Sequence, residues 1–282
     1  MAQNNAEFTN SVIDSIGEDT SPRLKEIITS LVHHSHGFLR DVNLTTEEFM
    51  AGLKYLSWAG QMTNDRRNET LLLSDVLGLE SLVDSIMTSA AAGAATSSAI
   101  LGPFWRADAP VREFGGTISF DTPADGQVTY MFGTVPDSIT GQPISNALVD
   151  VWEASTNGLY EQQDSNQQEH NLRGKFYTND KGQYAFYCLR PTPYPVPSDG
   201  PAGKLLQLLH RHPFRPGHIH FIVSSIGYAP ITTQIFDRDS KYLDDDSVFA
   251  AKNDLKVDFK SREGDPKAEL EAEYNITLAP KA

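Results

Sequence analysis

From Leu24 to Val42 the apolar residues Leu24, Ile27, Ile28, Leu31, Val32, Phe38, Leu39 and Val42 follow a three- and four-residue spacing. That spacing predicts one face of a long helix. Ser21 is placed to cap it, and Pro22 suits the first helical position, where a missing N–H costs nothing. Thr45 and Glu48 form a capping box that opens a second helix carrying Phe49, Leu53 and Leu56. The stretch "NETLLLSDVLGLESLVDSIM" predicts one or two more helices, broken near Gly78. The following "TSAAAGAATSS" loses periodicity and reads as a linker.

Beyond residue 115 the pattern shortens to runs rich in β-branched and aromatic residues: "VTYMFGTV", "ALVDVWEAS", "GKFYT", "QYAFYCL", "HIHFIVSS" and "ITTQIF". Gly, Pro, Asn and Asp separate them, and no helical pattern intervenes. The expected architecture is therefore α+β: a helical region over residues 1–100, then an antiparallel β-sandwich over residues 101–282. One interruption, residues 190–217, is long and proline-rich, which favours a functional loop over a plain connection.

The run "RPGHIHFIVSS" raises a chemical question. In a strand, His218 and His220 share one face while Ile219, Phe221 and Val223 share the other. Two such imidazoles can chelate a metal, or form a polar edge. Tyr160 closes "NGLY" soon after a predicted strand, and Tyr194 sits among prolines in "PTPYPVP". Each tyrosine taken alone reads equally well as packing.

Composition narrows the choice. A formal net charge of -14 argues against nucleic acid and anionic membranes as partners. Cys188 is the single cysteine, so no intrachain disulfide can form. The first residues lack the basic and apolar regions of a secretion signal, and no window is apolar enough to cross a membrane, so a cytoplasmic protein is expected. Structural zinc would call for four N or S ligands, and Cys188 is remote in sequence from the histidine pair. A non-catalytic metal-binding module is the weaker alternative.

Taken together, Tyr160, Tyr194, His218 and His220, spaced 34, 24 and two residues apart, resemble the ligand pattern of the intradiol ring-cleaving dioxygenases. The resemblance extends through "LGPFWRADAP", "RPTPYPVPSDGP", "RHPFRPGHIHFIVSSIGY" and "TTQIFDRDSKYLDDD", and so covers nearly the whole chain. It implies one non-haem iron(III) per chain, held by the two tyrosines and two histidines, with Tyr194 the ligand that leaves when substrate binds. It also implies that Arg215 faces the substrate ring and that Gln234 lies near the iron. Leu72, Asp75, Ile100, Gly102, Trp105, Val196 and Pro197 are expected around the substrate.

Within the family, "PYPVPSDGP", "LRGKFYTNDKGQY" and "IFDRDSKYLDDDSVF" are most similar to hydroxyquinol 1,2-dioxygenases, with catechol 1,2-dioxygenases next. The implied reaction uses O2 to open hydroxyquinol between adjacent hydroxyls, Asp75 accepting a hydrogen bond from the third hydroxyl. A homodimer through the amino-terminal helices is also implied, with room for a lipid in the groove between subunits.

The donor chemistry agrees with that assignment. Phenolate is a hard anionic donor suited to a trivalent ion, and imidazole complements it. Two phenolates plus one hydroxide would cancel the metal's charge, so a water-poor site could hold the centre without a large desolvation penalty.

Overall fold

The structure is a computed structural model that describes residues 5–90 and 95–281, with side chains for residues 6–87 and 95–281. The chain divides into two compact units, Met1–Ser57 and Trp58–Ala282. The predicted linker over residues 88–98 falls partly outside the described residues.

In the first unit, α1 (Asn5–Asp14) packs on α2 (Pro22–Asp41). Ser21 caps α2 by accepting from the Leu24 N–H at 3.4 Å, and Pro22 occupies the first turn, as its sequence predicts. Thr9 ties the pair together, meeting His36 Nδ1 at 3.0 Å and accepting from Arg40 at 2.9 Å. On the apolar face of α2, Leu24, Ile27, Leu31 and Phe38 are 46–57 % exposed. The Thr45–Glu48 capping box forms at the start of α3 (Thr46–Met62), which continues across the boundary between the units.

The second unit begins its own helices with α4 (Glu69–Val76) and α5 (Leu79–Ala90), separated at Gly78, whose φ of +72° ends the first. Leu72, Leu73 and Val76 are buried with Ile100, Val196 and Phe236 in one apolar cluster. By contact, then, α4 and α5 belong with the sheets, although their periodicity looks like that of the first unit's helices.

The six strand-like runs all form strands. β1 (Val128–Thr134) and β4 (Gln183–Leu189) pair in one sheet; β2 (Leu148–Trp152), β3 (Arg173–Tyr177), β7 (His218–Ser224) and β8 (Ile231–Asp237) lie in the other. The proline-rich interruption contributes β5 (Tyr194–Pro195), α6 (Pro201–Leu208) and β6 (Phe214–Arg215), with β5 paired to β6. Near the carboxyl end, β9 (Lys256–Val257), β10 (Lys260–Ser261) and β11 (Leu270–Glu273) complete the sheets.

The sheet orders are β10-β11-β1-β4 and β3-β2-β7-β8-β9. This corrects the expectation of purely antiparallel strands, because β1–β11 and β8–β9 run parallel. Long connections bring these late strands alongside their partners, where a hairpin would have forced an antiparallel pair. Inner faces of both sheets meet in one core that includes Met131, Val149, Val151, Phe186, Ile219, Phe221, Val223 and Ile235, all fully buried. Among the described residues, no helix is long and apolar enough to cross a membrane.

Candidate metal centre

β7 places its histidines by simple alternation. Ile219, Phe221 and Val223 enter the shared core, which leaves His218 and His220 together on the opposite face. β7 lies between β2 and β8, so both neighbouring strands fix its register, with Trp152 and Gln234 opposite His220.

The tyrosines arrive on shorter pieces. After β2 the chain turns at Gly158, whose φ of +79° brings it against Tyr194, where an added Cβ would lie 2.6 Å from the Tyr194 Cβ. Tyr160 then opens a single 3-10 turn, Glu161–Gln163, and its N–H donates to Gln163 Oε1 at 3.0 Å. Tyr194 lies on β5 opposite Arg215, with prolines on both sides restricting its backbone.

These four residues bring their donor atoms into a closed ring. Tyr160 Oη is 2.9 Å from Tyr194 Oη, Tyr194 Oη 3.2 Å from His218 Nε2, His218 Nε2 3.2 Å from His220 Nε2, and His220 Nε2 3.1 Å from Tyr160 Oη. Metal–ligand bonds of about 2.0–2.2 Å, at angles between square and tetrahedral, put adjacent donors roughly 2.9–3.5 Å apart. The ring therefore fits one transition-metal ion. His218 Nδ1 lies 2.7 Å from the carbonyl of Pro216, which can only accept, so its proton is on Nδ1 and the Nε2 lone pair faces the other donors. The His220 ring stacks on Trp152 at 4.7 Å and 9°. Among the described residues no group of three or more His, Cys, Asp and Glu side chains could hold a metal, so this donor set depends on its tyrosines.

Burial governs the electrostatics. Desolvation pushes the Tyr160 and Tyr194 phenols above their usual value, against the pull of Arg215, and Arg173 also pulls on Tyr160. Desolvation first, and the Arg215 charge with it, holds both imidazoles well below theirs. The histidines are thus neutral and ready to ligate, while the phenols need a bound cation to ionise at neutral pH.

Arg215 reaches this group with a buried guanidinium. It donates to Asp246 Oδ1 at 3.1 Å, to Gln234 Oε1 at 2.8 Å, and from Nη1 to His218 Nε2 at 2.9 Å. Gln234 in turn donates to the Ile100 carbonyl at 2.7 Å, linking the guanidinium to the wall of an adjoining cavity. Asp246 escapes notice in sequence, since "LDDDS" reads as solvated acid; its first clue is the contact with Arg215.

That cavity is narrow and is lined by Leu72, Asp75, Ile100, Gly102, Pro103, Phe104, Val196, Pro197 and Val248, together with Tyr160, Tyr194, Arg215 and His220. Gly102 has a φ of +75°, and a Cβ there would come within 3.2 Å of the His220 ring. Six of the seven expected wall residues are brought together here. Trp105 is not. Its ring is 37 % exposed and lines a separate open groove, with the indole N–H donating to Asp150 Oδ2 at 3.2 Å. The chain bends outward after Phe104, the last of this segment to face the cavity.

Asp75 also differs from the simple acceptor expected of it. It is 1 % exposed, and its carboxyl lies beside that of Glu80 and the hydroxyl of Ser74. Burial, followed by the neighbouring Glu80 carboxylate, raises its pKa far enough to keep it protonated at neutral pH, with Arg215 opposing. It therefore offers the cavity both an O–H and an acceptor oxygen.

A mixed two-sheet domain that brings two tyrosines and two histidines around one point matches the arrangement implied by the sequence resemblance, and comparison with known proteins identifies the class. A family model described as "Dioxygenase" matches residues 100–280, and one described as "Catechol dioxygenase N terminus" matches residues 21–95. The chain belongs to the intradiol ring-cleavage dioxygenases. It is 48% identical to the intradiol ring-cleavage dioxygenase prcA of Aspergillus niger, over 97% of this chain and 88% of that protein. It is 44% identical to catechol 1,2-dioxygenase of Candida albicans, over 98% and 92% of the two chains. The solved structure of hydroxyquinol 1,2-dioxygenase from Pseudomonas putida superposes with a TM-score of 0.85 at 34% identity, covering 98% of this chain and 99% of that one.

Proposed function

We propose that Tyr160, Tyr194, His218 and His220 hold one non-haem iron(III) per chain, and that the enzyme uses O2 to open hydroxyquinol to 3-hydroxy-cis,cis-muconate (maleylacetate). The observation that carries the metal assignment is the closed ring of four donor atoms, each 2.9–3.2 Å from the next. Bound there, iron(III) would supply Lewis-acid chemistry toward a ring bearing two adjacent hydroxyls and toward O2.

The residues divide the remaining work. Tyr194 lies on a two-residue strand and also borders an open groove on its outer side, so its Oη is suited to take up a substrate hydroxyl proton and move aside. Tyr160 and the two histidines stay in place. The Arg215 guanidinium, fixed by Asp246 and Gln234, stabilises negative charge developing on the ring oxygens. Leu72, Ile100, Val196 and Pro197 clamp the ring and exclude water. Asp75 supports the hydroxyquinol assignment: it is the buried carboxyl in the cavity wall, placed to meet a third ring hydroxyl.

Cleavage of unsubstituted catechol is the second reading. The similarity to a catechol 1,2-dioxygenase and the apolar character of most of the wall favour it. Oxygen uptake with hydroxyquinol, catechol, protocatechuate and chlorocatechols side by side decides the matter. Hydroxyquinol is expected to give the highest kcat/KM; a preference for catechol overturns the substrate assignment and leaves the ring-opening chemistry in place. The exposed apolar face of α2 supports a homodimer, and we propose that it works in the cytoplasm; by contact the chain divides after Ser57, ahead of the boundary near residue 100 that the sequence suggests.

A further inference from the structure

Arg173 plays no part in the chemistry above, yet its guanidinium is almost wholly buried. It stands at one end of a rank that crosses four strands: Arg173 is opposite Trp152, Trp152 opposite His220, and His220 opposite Gln234. Two members of this rank already serve the centre, with Trp152 stacked on His220 and Gln234 holding Arg215. The Arg173 guanidinium lies over the Tyr160 ring, 5.6 Å from its centroid. Its Nε donates to Glu161 Oε2 at 2.5 Å, and another nitrogen donates to Gln162 Oε1. Glu161 and Gln162 directly follow Tyr160 and form the turn that aims it. The second oxygen of Glu161 is held by Arg106 at 2.7 Å.

A guanidinium is costly to remove from water, and this one is satisfied by the two residues that immediately follow a metal donor. A cation over an aromatic face draws electron density from the ring, most strongly when both are desolvated. Tyr194 shows no comparable contact among the described cation–ring pairs.

We propose that Arg173 is a positioning residue for Tyr160. Its charge over the ring withdraws electron density from the phenolate oxygen, and its grip on Glu161 and Gln162 fixes where that oxygen points. This rests on the iron assignment above. A plain salt bridge tying β3 to the turn would use the same hydrogen bonds, but it would not tune the phenolate.

The test uses the full-length, iron-loaded protein as parent, Arg173→Met, Arg173→Lys and Glu161→Gln. The position of the phenolate-to-iron absorption band is measured alongside Tm, kcat and KM on the same preparations. Arg173→Met should move the band to longer wavelength, because a more electron-rich phenolate gives up its electron more easily. Glu161→Gln leaves the guanidinium charge less balanced and should move it to shorter wavelength. Arg173→Lys should fall between the parent and Arg173→Met. In the Arg173 variants kcat should drop several-fold while KM stays within about twofold, since Arg173 does not line the substrate cavity. If Arg173→Met does not fold, the opposite shifts in Arg173→Lys and Glu161→Gln still decide the question. Lower Tm with an unmoved band overturns the proposal and leaves a structural salt bridge. Absence of any such band in the iron-loaded parent overturns the iron assignment and this proposal with it.

Discussion

The two histidines and the two tyrosines reach the same point by different means, and the contrast explains how the centre can be both stable and labile. His218 and His220 belong to a seven-residue strand with neighbours on both sides, and the alternate residues Ile219, Phe221 and Val223 are fully buried in the core. Shifting either imidazole means disturbing the sheet. Tyr160 rides on a single 3-10 turn, and Tyr194 on a two-residue strand between prolines. The tyrosines themselves differ: Tyr160 is gripped through its turn by a buried arginine, whereas Tyr194 is held by packing against Gly158 and borders an open groove. If Tyr194 is the ligand that leaves, as proposed, it is the donor carried on one of the shortest strands.

The sharpest way to break this contrast is to remove each phenol in turn. Tyr160→Phe is expected to lose both iron and colour, whereas Tyr194→Phe should keep part of its iron and lose turnover by about 10²–10⁴, the usual contribution of a positioned proton acceptor. Metal analysis and single-turnover kinetics check this. Equal iron loss in the two variants would abolish the distinction.

The rigid side can be probed through Glu153, which follows β2 and accepts from the Leu189 N–H of β4 at 2.9 Å. Its other oxygen has no partner, and full burial raises its pKa to about 8. Unfolded, it would titrate near 4.3, so between those values the native chain keeps a proton that the unfolded chain has lost. Stability should therefore fall as pH rises from about 4 to about 8 and level off above, with a total loss of up to roughly 5 kcal/mol. Glu153→Gln should lack that slope, so its margin over the parent grows across the window. Urea midpoints at several pH values measure it; parallel curves would show that the carboxyl does not titrate in that window.

On the looser side, Gly158→Ala forces a Cβ toward Tyr194 at a positive φ. A cost of about 1–3 kcal/mol in stability is expected. kcat should fall with little loss of iron, because the residue displaced is the exchangeable donor. Unchanged kcat would mean that Tyr194 does not depend on this contact.

The smallest expected effect concerns Asp75. A neutral carboxyl meeting a ring hydroxyl contributes about 0.5–1.5 kcal/mol, or roughly two- to tenfold in discrimination. Asp75→Ala should lower kcat/KM for hydroxyquinol by that factor and leave catechol nearly unchanged. Equal losses on both substrates would make Asp75 structural.

Much of this was legible in the sequence, for identifiable reasons. Alternation marked the six long strands and separated the faces of β7, and the caps at Ser21 and Thr45 marked helix starts. The short strands β9, β10 and β11 carry too few residues to show alternation, so the parallel pairings they make could not be foreseen. The affiliation of α4 was hidden because an apolar stripe does not say which core will cover it. Family resemblance, carried by the spacing of two tyrosines and two histidines, brought forward the four metal-donor candidates, and with them Arg215 and Gln234. The sequence did not reveal Asp246, Glu161 and Arg173, because a buried charge is spelled the same way as an exposed one. Trp105 misled because the resemblance placed its segment, "LGPFW", beside the substrate, whereas the chain turns outward after Phe104.

The most direct test of the central claim is to measure iron content and visible absorption together on the purified protein while following ring cleavage. Two tyrosinates and two histidines around a trivalent ion predict about one iron per chain and a broad visible band that disappears with the metal. Full ring-cleaving activity in a colourless, iron-free protein would contradict the account.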